Sequence, residues 1–131
     1  MGDSRLTSFQ KQVSDLLLRH RSFLDVTSKF QDSTSRVNRA LMKAVTECGC
    51  IEVHAARQPL DYEASISELK DRFKTHLSGC LCDHCQDVVK AEMGKHLFYF
   101  TALCNLLELP LDEIVHQESD KLSTLGVFNL R

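Results

Sequence analysis

The sequence predicts an all-α fold, a bundle of four or five amphipathic helices. Three observations carry this. Apolar residues recur in steps of three and four along most of the chain. No run of alternating Val, Ile or Thr argues for a strand. Only five Gly and two Pro are spread over 131 residues, too few for a fold made of many turns. A chain of this length is the size of one ordinary domain. It divides into an N-terminal helix over 1–30, a helical core over 31–125 and a tail over 126–131.

The first predicted helix spans 5–30 and places Leu6, Phe9, Val13, Leu16, Leu17, Phe23, Leu24 and Phe30 on one face. Asp32-Ser33-Thr34-Ser35 then offers N-cap candidates. A second helix is predicted from there to about Arg57, with Val37, Leu41, Ala44, Val45, Cys48, Ile51 and Ala55 as its stripe. Gln58-Pro59-Leu60-Asp61 reads as a break. Residues 62–77 form a shorter, more polar helix with Ile66, Leu69 and Phe73 inward, stopped by Ser78-Gly79. The next helix runs from near Cys82 to about Glu108 on the stripe Val89, Met93, Leu97, Phe100, Leu103, Cys104 and Leu107, and Pro110 ends it. A last helix over 111–124 uses Ile114, Val115 and Leu122, with Gly126 as its C-terminal stop.

Composition narrows the function classes. At 43% hydrophobic residues the chain can fill a core. A net charge of -2 gives no general attraction to nucleic acid or anionic membrane. No stretch reaches the roughly 20 apolar residues of a membrane span, and MGDSRLTSFQ lacks the regions of a signal peptide. The expectation is a cytoplasmic protein with no nucleic-acid or membrane partner. Six Cys in a reducing compartment then point to core thiols, metal ligands or redox groups rather than disulfides.

The segment Ala91 to Asn105, read as AEMGKHLFYFTALCN, carries a Glu and then an apolar run, Leu97-Phe98-Tyr99 followed by Ala102-Leu103. Leu109-Pro110-Leu111-Asp112-Glu113-Ile114-Val115 and Lys121-Leu122 follow it, and Thr46-Glu47-Cys48-Gly49-Cys50-Ile51 precedes it. This pattern, over roughly residues 30–125, resembles the MazG-type all-α nucleotide pyrophosphohydrolases. The resemblance implies a MazG-like bundle, a nucleotide or other phosphate-compound ligand, and a homodimer or higher homo-oligomer. It also implies four carboxylates, paired at i and i+3 on two helices, that hold Mg²⁺ for attack on a phosphoanhydride. Glu47 and Glu92 stand at the first position of each pair, as candidate catalytic residues and Mg²⁺ ligands. Cys50 and Lys95 stand at the second. Lys⁺ repels the metal and a thiolate is a soft ligand for a hard ion, so the set is half complete. Beside Glu92, Lys95 is a candidate to mimic the missing cation or to contact phosphate itself. Half-exposed helix carboxylates, with Glu92 pairing with Lys95 or another surface cation, are the plain alternative for Glu47 and Glu92.

The cysteines suggest a different metal. Cys82-Asp83-His84-Cys85 has the spacing that zinc sites favour, and Cys50 and His54 share a helix face at i and i+4. With Glu47 facing Glu92 on antiparallel helices, the two pairs fall within a turn of each other. The expectation is a Cys₃His zinc site of Cys50, His54, Cys82 and Cys85. Cys80 or His84 is an alternative ligand, and inclusion of Cys48 would allow an iron–sulfur cluster. Cys48 itself continues the core stripe of its helix, and in a regular helix it lies ~200° from Cys50 unless Gly49 loosens the backbone. Cys104 reads as a core thiol. A redox pair at Cys82 and Cys85, or ordinary reduced thiols, remain as other readings. The function classes left open are thus a pyrophosphohydrolase, a phosphate-binding relative without turnover, and a zinc-binding or redox-responsive helical domain.

Overall fold

A computed structural model describes residues 4–17, 21–59, 61 and 63–126. Among these, the chain is mostly helical, as the all-α class requires. Five α-helices are formed: α1 Arg5–Leu16, α2 Phe23–Lys43, α3 Ile66–Arg72, α4 Asp83–Leu106 and α5 Leu111–Leu125. Residues 18–20 of the predicted first helix and 127–131 of the predicted tail lie outside the described residues.

Caps explain most of the boundaries. The Ser4 hydroxyl accepts the Thr7 N–H at 3.0 Å and opens α1. Ser65 does the same for Glu68 at 3.2 Å, so α3 is the shorter span Ile66–Arg72 rather than 62–77. Asp32-Ser33-Thr34-Ser35 does not start a helix. These residues lie inside α2, where the Ser33 and Thr34 hydroxyls donate back to the Phe30 carbonyl at 2.7 and 3.3 Å. Gly126, at φ 54°, closes α5 as expected.

The described residues fall into two compact units, one of Met1–Arg36 with Glu92–Arg131, the other of Val37–Ala91. In the first, Val13, Leu17, Val26 and Ala102 form the buried cluster, with Phe9, Phe98 and Leu103 packed on it. α1 also lies against α5. Gln10 joins them: its amide N–H donates to the Leu109 carbonyl at 2.8 Å and its Oε1 accepts the Leu111 N–H at 2.8 Å. That second bond satisfies an N-terminal amide of α5, which Pro110 cannot cap with a side chain.

The second unit departs from the sequence reading. The helix expected to reach Arg57 ends at Lys43 and continues only as a π turn, Ala44–Cys48, in which the Gly49 N–H donates to the Ala44 carbonyl at 2.9 Å. Gly49 then turns left-handed at φ 76°, a conformation that only glycine adopts without strain. Beyond it come two strands, β1 Ile51–Val53 and β2 Leu77–Gly79, paired antiparallel with Ile51 opposite Gly79 and Val53 opposite Leu77. Gly79 has φ 87°, and a Cβ there would stand 2.5 Å from the Cys50 carbonyl oxygen. Ser78-Gly79 therefore does not stop a helix. It lets a strand come close to the backbone of Cys50.

Candidate metal centre

Four thiols gather where these elements meet. Cys48 ends the π turn, Cys50 follows Gly49, Cys82 directly precedes α4, and Cys85 sits in its first turn. Their sulfurs all lie within 4.8 Å of one another. Cys48 and Cys82 Sγ are 3.8 Å apart. In a regular helix Cys48 and Cys50 would point ~200° apart. The left-handed Gly49 reverses the chain between them and turns both sulfurs to one place. Around the thiols, Ala44, Ile51 and Cys85 form a buried cluster to which Val45, Cys50, Leu81 and Cys82 add.

The start of α4 shapes the electrostatics. Cys82 takes the capping position: its carbonyl accepts the Gln86 N–H at 2.8 Å and its sulfur the Cys85 N–H at 3.4 Å. That backbone donor, with the Cys85 thiol, pulls the Cys82 pKa down to about 7. The Cys85 thiol, as donor to Cys82 and as a buried group, is pushed up to about 12. The two share one proton, with negative charge favoured on Cys82. A cation placed among the four sulfurs would displace that proton and those of the other thiols.

Three of the four residues expected of the zinc site, Cys50, Cys82 and Cys85, are in this group. The fourth position, expected of His54, is taken by Cys48. His54 follows β1, with Nε2 3.0 Å from Glu52 Oε2 and both side chains exposed. The reason is the backbone: four residues span about 6 Å along a helix but about 13 Å when extended. The signal for Cys48 was present in Cys48-Gly49-Cys50, since a glycine between two thiols readily breaks the helix that would hold them apart. Cys80 and His84 are exposed and outside the group. Cys104 is buried, which raises its pKa, in keeping with a core thiol.

Neither candidate carboxylate is among the four clustered groups. Glu47 lines a cavity of about 270 Å³ with Lys43, Cys48 and His84. Glu92, in the other unit, has Oε1 3.9 Å from Lys95 Nζ, while its buried Oε2 has no partner. Lys95 thus supplies positive charge where the resemblance would place a carboxylate, and Cys50 is turned to the thiols. The residues present do not fit the Mg²⁺ cage that the resemblance implies. Near Glu92, a second cavity of about 220 Å³ is lined by Lys29, Asp32, Ser33, Arg36, Lys95 and Tyr99. There Arg36 Nε donates to Asp32 Oδ2 at 3.0 Å, and Asp32 followed by Glu92 raises the Arg36 pKa.

Comparison with protein-family models, with curated proteins and with solved structures finds no match. Among the described residues, no helix is long and apolar enough to cross a membrane.

Proposed function

We propose that the chain is a zinc-binding helical domain in which Cys48, Cys50, Cys82 and Cys85 hold one structural zinc ion. The observation that carries this reading is the approach of the four sulfurs to within 4.8 Å. A tetrahedral zinc with bonds of about 2.3 Å has sulfur–sulfur edges of about 3.8 Å, the distance already found between Cys48 and Cys82. An iron–sulfur cluster places bridging atoms between its thiolates and spreads them further, so a single ion suits the group better. Four protein thiolates leave no open position for substrate, which makes the metal a fold element rather than a catalyst. Metal analysis of the purified chain tests this. One zinc per chain is expected, lost in Cys82→Ser. Protein that carries neither zinc nor iron overturns it.

A second reading follows from the cavity of Lys29, Arg36, Lys95 and Tyr99: a divergent MazG-like protein that binds a phosphate compound, such as a nucleotide, without cleaving it. Three cationic side chains there outnumber Asp32, and the guanidinium suits phosphate oxygens. Titration with nucleotides, paired with phosphate release in Mg²⁺ or Mn²⁺, separates binding from turnover. Saturable binding with no release supports the reading, and robust turnover overturns it. A homodimer or larger homo-oligomer is part of the same proposal. Leu16, Leu24, Met93, Leu97, Val115 and Leu122 are all exposed, more apolar surface than isolated helices favour in water. A strict monomer in gel filtration counts against it.

A further inference from the structure

The thiol group is open on one side. The cavity of about 270 Å³ that holds Lys43, Glu47 and His84 also touches the Cys48 and Cys85 side chains. Cys48 is exposed, Cys82 and Cys50 are half-buried, and Cys85 is buried. A small polar oxidant therefore meets Cys48 first. The Cys82 sulfur lies 3.8 Å away, within hydrogen-bond reach of Cys48 across 34 residues of chain. A disulfide needs those sulfurs to close to about 2.05 Å, a movement of under 2 Å. Next to Cys48, a Cβ on Gly49 would meet nothing within 4 Å, so the turn has room for that shift.

We infer that Cys48 and Cys82 are a peroxide-sensitive pair, whose oxidation to a disulfide expels the metal. The inference rests on the proposed zinc centre. A metal-bound cysteine is a thiolate, and the thiolate is the nucleophile. The Cys48 sulfur attacks one oxygen of hydrogen peroxide. The O–O bond breaks, Cys48 becomes a sulfenic acid, and the leaving hydroxide takes a proton to become water. The Cys82 thiolate then attacks the Cys48 sulfur. The S–S bond forms, the S–O bond breaks, and the second hydroxide also leaves as water. Two thiolates lose two electrons and one peroxide becomes two waters. Cys50 and Cys85 alone cannot complete a tetrahedral site, so zinc dissociates. A reductant with fresh zinc restores it.

The test uses the full chain as purified, treated with hydrogen peroxide. Released zinc is followed with a chromogenic chelator, and disulfides are mapped by mass spectrometry of an unreduced, alkylated digest. The expected result is one zinc released for every crosslink formed, the crosslinked peptide joining Cys48 to Cys82. Cys80→Ser should release zinc at the unaltered rate, because Cys80 is exposed but outside the group. A crosslink to any other cysteine overturns the pairing, as does zinc retained under peroxide that fully oxidises Cys80. If the protein is isolated without metal, the zinc reading fails separately. The mapped pair in that metal-free protein still decides the pairing: a Cys48–Cys82 crosslink supports it and any other overturns it, while metal release falls with the zinc reading.

Discussion

In the unit of the chain's two ends, Val13, Leu17, Val26 and Ala102 close on one another, with two phenylalanines and Leu103 against them. Between Val37 and Ala91 the buried cluster is Ala44, Ile51 and Cys85, and two of the four residues packed on it are cysteines. There α3 buries none of its residues, and the two strands are three residues each. Strands this short are not stable alone in water. The first unit is held by apolar burial. The second buries mostly small side chains, Ala40, Ala44, Ile51, Cys85 and Val89. Under the proposed zinc centre, a crosslink through four thiolates would add the kind of tie that small segments use. On that proposal the chain meets the same entropic problem by two chemistries.

Metal withdrawal should break this comparison open with the largest effect. Structural zinc contributes on the order of 10 kcal/mol in small metal domains. A strong chelator, or Cys85→Ser, should abolish amide protection in 44–53 and 77–85 while the amides around Val13, Val26 and Ala102 stay protected. Hydrogen exchange read by mass spectrometry checks this. If both regions lose protection together, they are not held by separate means. The pH dependence has a defined sign. Each thiol must give up its proton to bind, so protons compete with zinc. With Cys82 held at about 7 and Cys85 at about 12, metal affinity should rise from pH 6 to pH 8 and fall on acidification. A competition titration against a chelator of known pH response measures it.

Gly79→Ala sharpens the comparison without removing a ligand. At φ 87°, with the Cys50 carbonyl oxygen 2.5 Å from the new Cβ, the substitution adds backbone strain and a clash against main chain. A cost of about 3 kcal/mol is expected, with weaker zinc retention because the strand pair places Cys50. The matching probe in the other unit is Val26→Ala. Val26 is 0% exposed, and the loss of two buried carbon groups costs about 2 kcal/mol. Thermal denaturation should register both. Only Gly79→Ala should lower zinc content, and equal zinc loss in Val26→Ala would sink the division of labour.

What the sequence made legible follows the same divide. α4 and α5 are periodic and long enough for local signals to decide, and Gly126 stops α5 as glycine at that place should. The first helix, read over 5–30 because Phe23, Leu24 and Phe30 keep the spacing, instead ends at Leu16, and those three residues belong to α2. The middle of the chain was read as helix because Val45, Cys48, Ile51 and Ala55 keep helical spacing. Two local facts override it: Gly49 turns left-handed, and Ile51 and Val53 find a strand partner 24–28 residues away. Pairing at that separation leaves no periodic trace in three residues. The C-x-x-C was legible because it lies on one helix start. The other half was legible only at Cys50. Its true companion, Cys48, looked like core because helical geometry was assumed to continue through Gly49.

The smallest effect is expected at Gly94, the glycine within α4. It lies inside a long helix, and a Cβ there would meet nothing within 4 Å. Glycine in a helix interior costs roughly 0.5–1 kcal/mol relative to alanine, chiefly through the freedom of the unfolded chain. Gly94→Ala should therefore stabilise the protein and raise its melting temperature by a few degrees. Zinc content and the rate of zinc release to a chelator should not change, because Gly94 belongs to the unit that apolar packing holds. A slower zinc release in Gly94→Ala would mean that helix stability in α4 reaches Cys82 and Cys85, and that the two regions share one cooperative transition.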